Sequence, residues 1–163
     1  RRGAGMPEPY INLAAIYLRQ GMYNEAILFL NDARRIAPHN KYSLYLLCEA
    51  YLKTKNSAKI NEVIQQIFRE VNDEQILVLT GSLLAQHGHP KQAMSMYNRA
   101  LQLNRSYAQA FLEMGKLYGN LNQFNKAIVT WQEGLMLNSQ VEDFKVLIQQ
   151  GIALKKKFKN VSQ

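Results

Sequence analysis

The residue types most often recruited for thiolate, imidazole or zinc chemistry are few in this sequence: the single cysteine Cys48 and the histidines His39, His87 and His89. A catalytic thiolate needs a base or cation beside it and partial exposure. Cys48 instead recurs, in register, at the place held by Ala14, Gly81 and Gly115, and reads as a small packing residue. All three histidines fall between apolar-periodic segments, and the His87-Gly88-His89 stretch has no cysteine or carboxylate next to it to complete a tetrahedral set. Glycine-rich phosphate loops, nucleophile elbows and paired-carboxylate motifs are missing from the sequence. No catalytic, cofactor or metal residue is therefore assigned, and the chain is expected not to be an enzyme.

What the sequence does contain is a repeated pattern. Tyr10, Leu13, Ala14 and Tyr17 follow the i, i+3, i+4, i+7 spacing of one helix face, and Gly21 ends that run. Ala26, Ile27, Leu30 and Ala33 make a second face of the same period, closed by Pro38. The pair returns as Phe111, Met114, Gly115 and Tyr118 with Ala127, Trp131 and Gly134, and as Leu77, Gly81 and Leu84 with Gly88, Ala93, Tyr97 and Ala100. A further copy holds Leu44, Leu47, Cys48 and Tyr51, but carries Lys55 at the turn and Ile60, Ile64 and Ile67 in its second helix. That copy is expected to pack loosely, with the least certain angle between its helices. Asn72, Arg105 and Ser139 stand where Pro38 closes the first copy, so those helix ends are expected to run on or fray.

A helix-turn-helix unit recurring at about 34 residues, with large, small and aromatic positions in this order, resembles the tetratricopeptide repeat family. The resemblance implies an all-α fold, a right-handed α-α superhelix or solenoid of four helix pairs with a C-terminal capping helix. Boundaries follow at residues 7–40, 41–74, 74–107 and 108–141, with the cap at 142–157. Residues 1–6 read as a flexible start or an expression remnant, and 158–163 as a basic tail. In the cap, Phe144, Leu147, Ile148, Gly151 and Ile152 share one face, and a polar opposite face would protect the end of the stack.

The composition, 47% hydrophobic and 20% charged, suits one soluble globular domain. No apolar run reaches the roughly 18 residues that a membrane span needs, so a cytoplasmic location is expected. The formal charge of +8 raises the question of an anionic partner. Six of the 20 basic residues are Arg1, Arg2, Lys155, Lys156, Lys157 and Lys159, which leaves the repeat body 14 against 12 acidic residues. Nucleic acid is disfavoured on that ground, and membrane contact is left to the basic C-terminal residues.

In this family the first helix of each pair turns a second stripe toward the concave side. The resemblance places a peptide-binding groove on Ile11, Ala15 and Arg19, on Tyr42, Tyr45, Glu49 and Lys53, on Val78, Ser82 and Gln86, and on Leu112, Lys116 and Asn120. The carboxylate clamp of chaperone-binding relatives is not supplied by these residues, nor is a ladder of asparagines, since Asn12 is matched by Leu46, Leu79 and Glu113. The expectation is a scaffold or adaptor that holds a protein or peptide segment, within a larger multi-protein assembly. Two alternatives stand beside it: a chaperone of the bacterial secretion type, and docking of the basic tail on anionic membrane or nucleic acid.

Overall fold

A computed structural model describes residues 5–161, and the described residues form nine helices and no strand. In chain order these are α1 Glu8–Arg19, α2 Tyr23–Ile36, α3 Lys41–Lys53, α4 Ser57–Glu70, α5 Glu74–Gln86, α6 Pro90–Leu103, α7 Ala108–Asn120, α8 Phe124–Leu137 and α9 Asp143–Val161. Successive helices pack as hairpins, and each hairpin packs on the next, an all-α solenoid. Residues 1–4 and 162–163, parts of the expected flexible start and basic tail, lie outside the described residues.

Packing within a hairpin follows a trade in side-chain size. The first helices present Ala14, Cys48, Gly81 and Gly115 at equivalent places, and the second helices answer with Leu30, Ile64, Tyr97 and Trp131. Glycine occurs where the partner is aromatic. A methyl group added at Gly81 would lie 2.5 Å from the Tyr97 ring, and one at Gly115 would lie 2.0 Å from Trp131 Nε1. Where the partner is Leu30 or Ile64, Ala14 and Cys48 fit and are fully buried. Ala26, Ala93 and Ala127, all fully buried, let three hairpins close tightly; Ile60 stands there in α4, and α3 and α4 approach one another over less of their length.

The four turns inside the hairpins are alike despite their sequences. Gly21, Lys55, Gly88 and Asn122 all have positive φ, at 78°, 55°, 79° and 57°. After each, a backbone N–H donates to a carbonyl five residues back: Met22 to Tyr17, Asn56 to Tyr51, His89 to Leu84 and Gln123 to Tyr118, at 2.9 to 3.1 Å. This 6→1 closure caps the helix and needs a left-handed residue. Lys55 thus keeps the turn geometry that its lack of glycine put in doubt. It does so at a steric cost of about 1 kcal/mol that glycine escapes. Lys55→Gly is therefore expected to stabilise the protein by about 0.5 to 1 kcal/mol, read as a raised urea midpoint at unchanged slope. An unmoved or lowered midpoint would count against strain at Lys55.

The second helices stop without proline. α4, α6 and α8 end at Glu70, Leu103 and Leu137, the register at which α2 ends before Pro38. Val71 and Asn104 are already extended, at ψ 115° and 98°. Other bonds stand in for the proline: the Val71 N–H donates to the Ile67 carbonyl at 3.0 Å with Asp73 Oδ1 then capping α5 by accepting from the Ile76 N–H at 2.9 Å, Asn104 Oδ1 accepts from the Ser106 N–H at 3.2 Å, and Asn138 Nδ2 donates to the Gly134 carbonyl at 3.1 Å. Lys41 also pairs with Asp73, and this pairing with the Ile76 N–H holds the Asp73 carboxyl below its usual range.

At the C-terminal end α9 runs to Val161, past the end expected at residue 157, so Lys159 lies on the helix with Lys155, Lys156 and Lys157. Of its expected inner face, Phe144 is fully buried and Leu147 and Ile148 pack against Trp131 and its neighbours, whereas Ile152 is 40% exposed. The outer side is not the polar cover expected of a cap: Val146 and Leu154 are about half exposed.

The first helices α1, α3, α5 and α7 contact one another in a row, whereas successive second helices meet more sparsely. Closer spacing on one side of a stack curves it toward that side, so the row of first helices forms the inner face.

Candidate functional site

Cys48 has no exposed surface, and burial, with the Glu49 carboxylate adding to it, pushes its thiol up to about 12. A thiol so held stays neutral and unreactive. His39 Nδ1 meets Glu70 Oε2 at 3.0 Å, and His87 Nδ1 lies 3.0 Å from the Leu83 carbonyl in its own helix. Among the described residues no three His, Cys, Asp or Glu side chains are grouped to hold a metal ion.

The residues of the expected groove divide by burial. Arg19, Tyr42, Lys53, Gln86, Lys116 and Asn120 are exposed, and Ile11, Ala15, Tyr45, Glu49 and Ser82 are half-buried. Val78 and Leu112 are buried, at 3% and 6% exposure, and belong to the two cores. Their expected place in an open groove is therefore corrected. On α5 and α7 this line of the helix is taken up by apolar packing, and the Leu112 carbonyl is itself covered by Trp131, whose Nε1–H donates to it at 3.3 Å.

On α3 the line is more open. Tyr42 is 52% exposed, with Lys41 Nζ 5.2 Å from its ring centroid, a cation–π contact. Tyr45, three residues on, packs partly against the core, and burial raises its hydroxyl pKa, with Glu49 contributing further. Tyr17, Tyr51 and Tyr118, which the repeat pattern puts on the packing face of the first helices, are likewise only partly buried. Tyr17 stacks on Phe29 with centroids 5.3 Å apart.

Farther along, Ser82, Gln86, Lys116 and Asn120 come together around one hollow of about 170 Å³ with Ala85, Tyr97, Glu113 and Leu117. Its floor is a hydrogen-bonded set that the stripe did not reveal. Ser82 Oγ and the Tyr97 hydroxyl lie 3.2 Å apart, and Ser82 Oγ donates to Glu113 Oε2 at 3.3 Å. Glu113 also accepts from Gln109 Nε2 at 3.1 Å and Lys116 Nζ at 2.8 Å. Burial pushes the Tyr97 hydroxyl up, and the bond with Ser82 partly offsets this. Tyr97 was missed because it sits on a second helix, where it counts as packing. Glu113 lies beside the stripe, and its spacing of four from Gln109 and three from Lys116 was the available signal.

Residues 7–40 match the family model of the tetratricopeptide repeat. A TPR repeat-containing protein of Methanocaldococcus jannaschii is 22% identical over 142 residues, which is 86% of this chain and 25% of that protein. The chain thus spans about a quarter of that relative's length. Among solved structures, PilF of Pseudomonas aeruginosa superposes with a TM-score of 0.67 at 17% identity, covering 93% of this chain and 70% of the other. PilW, a type IV pilus biogenesis factor, gives 0.64 at 21% identity, covering 92% and 70%. YrrB, a TPR protein with an unusual peptide-binding site, gives 0.57 at 18%, covering 91% and 77%. These structural likenesses concern the fold.

Proposed function

We propose, because this chain is a tetratricopeptide-repeat protein and that fold supports protein–protein interaction, that it is a non-enzymatic scaffold whose inner face holds an extended segment of a partner protein. The observation that carries this reading is Tyr42, a large side chain more than half exposed on the row of first helices beside half-buried Tyr45. Tyrosine offers a broad apolar ring and a hydroxyl at little entropic cost, and such anchors dominate measured binding energies. Ile11 and Ala15 extend the apolar contact, and Arg19, Glu49 and Lys53 set the polarity of the bound chain. The hollow around Ser82, Gln86, Lys116 and Asn120 suits backbone amides of the same segment. YrrB, similar in fold, has a peptide-binding site of its own.

A photo-crosslinking residue at Tyr42, introduced in cells of origin, is the direct test. Capture of a defined protein segment supports the reading; Tyr42→Ala should then weaken that segment's binding by about 1 to 3 kcal/mol while the melting temperature hardly moves. Tyr45→Ala should lower both, because Tyr45 also supports the core. Undiminished binding by Tyr42→Ala would overturn the assignment. Recruitment to a larger assembly is part of the same proposal, and loss of the captured partner on removing residues 155–159 would move its site to α9.

A further inference from the structure

The packing stripe of α9 changes character along its length. Phe144, Ile148 and Gly151 lie against α8, and a methyl group at Gly151 would sit 3.0 Å from Trp131 Cζ3 and 3.1 Å from Ile128 Cγ1. The same line continues with Ile152, Lys155, Lys156 and Lys159, at spacings of three, four and seven. Lysine ammonium groups resist burial, so the helices stay in contact up to Gly151 but leave the interhelical space beyond it unfilled. Two adjoining hollows of about 430 and 510 Å³ occupy that space. At the far end the Phe124 and Phe158 rings meet edge to face with centroids 5.6 Å apart. The cleft is therefore held open between two packed points.

Its lining combines an apolar floor with a one-signed rim. Phe124, Ile128, Val129, Ile152 and Phe158 supply the floor, and Lys126, Lys155, Lys156 and Lys159 the rim. No described acidic residue lines either hollow. Lys155, Lys156 and Lys159 make no ion pair with a described residue, whereas Lys41, Lys59, Lys116 and Lys145 all do. Clustered like charges around a low-dielectric depression focus a positive potential into it.

We infer that the cleft between α8 and α9 is a second docking site, separate from the inner face, for an acidic amphipathic protein segment that seats an apolar side chain among Ile128, Val129 and Ile152 and pairs its carboxylates with Lys155, Lys156 and Lys159. A concave apolar floor fits an inserted side chain, which a flat bilayer surface does not provide. The lysine rim selects carboxylates over cationic segments by charge complementarity.

The test is fluorescence anisotropy with a labelled helical peptide bearing glutamates on one face and leucine and phenylalanine on the other. Saturable binding is expected, weakened about tenfold or more by Lys155→Glu with Lys159→Glu and weakened again as salt is raised. Val129→Asp, at a side chain already half exposed, should weaken it as well by placing a carboxylate on the floor. Lys145→Glu, outside the cleft, and Tyr42→Ala, on the inner face, should leave it unchanged. Absence of peptide binding overturns the inference, as does equal binding by the lysine double variant or an equal loss with Lys145→Glu. Binding only to phosphatidylserine vesicles or to a single-stranded oligonucleotide would assign the lysines to a different class of ligand and also overturn it.

Discussion

Trp131→Ala is expected to cost about 3 to 5 kcal/mol, the range for removing a large aromatic side chain from a core, and to lower the chemical-denaturation midpoint accordingly. Trp131 is 5% exposed and joins three helices: it fills the space over Gly115 of α7, lies on its own helix α8, and touches the place of Gly151 on α9. Its Nε1–H also covers the Leu112 carbonyl at 3.3 Å, so truncation removes a donor along with the apolar area. A loss under about 1 kcal/mol would mean that the fourth hairpin and α9 collapse into the gap without penalty, against the close packing around this ring.

Gly115→Ala is the complementary experiment. The added methyl group would overlap Trp131 Nε1 at 2.0 Å and Cε2 at 2.4 Å, distances that a stiff indole ring cannot relieve without moving α7 from α8. Overpacking of this kind costs about 1 to 3 kcal/mol, and the higher helix propensity of alanine, roughly 1 kcal/mol, does not offset a displaced helix pair. The two changes should be strongly non-additive: once Trp131 is alanine, the methyl group at position 115 has room, and Gly115→Ala should become neutral or stabilising. Additive losses in the double variant would show that the clash is not with the indole. A stable Gly115→Ala single variant would show the same.

The size trade behind these predictions is visible in the linear sequence. Small residues at 14, 48, 81 and 115, and their spacing from Tyr97 and Trp131, are enough to define the helix pairs and their number, and the inner stripe follows from the family resemblance those pairs carry. Periodicity works here because each repeat contacts mainly its neighbours, so local pattern and global fold carry the same information. Two local departures misled in the same direction, each suggesting a disruption that the structure does not have. Lys55 lacks the glycine signal yet adopts φ 55°, because hydrogen-bond closure of the turn outweighs a strain of about 1 kcal/mol. The missing prolines at 72, 105 and 139 suggested frayed ends, yet extended residues and Asx bonds end those helices in register.

Only the tertiary structure decided which members of the inner stripe reach solvent. Tyr45, Val78 and Leu112 occupy equivalent places on α3, α5 and α7, yet the first is half-buried and the other two are 3% and 6% exposed. The difference lies in how closely adjacent hairpins approach, which no single helix encodes. Tyr97 and Glu113 meet across Ser82 only because α5, α6 and α7 converge there. The cleft beside Lys155 and Lys159 likewise exists only because α9 is packed to α8 as far as Gly151 and again where Phe158 meets Phe124. Sequence thus determined the repeating hairpins through short-range size matching; exposure, convergence and clefts arose from contacts between hairpins, where the partners are distant in the chain and their separation depends on every packed layer between them.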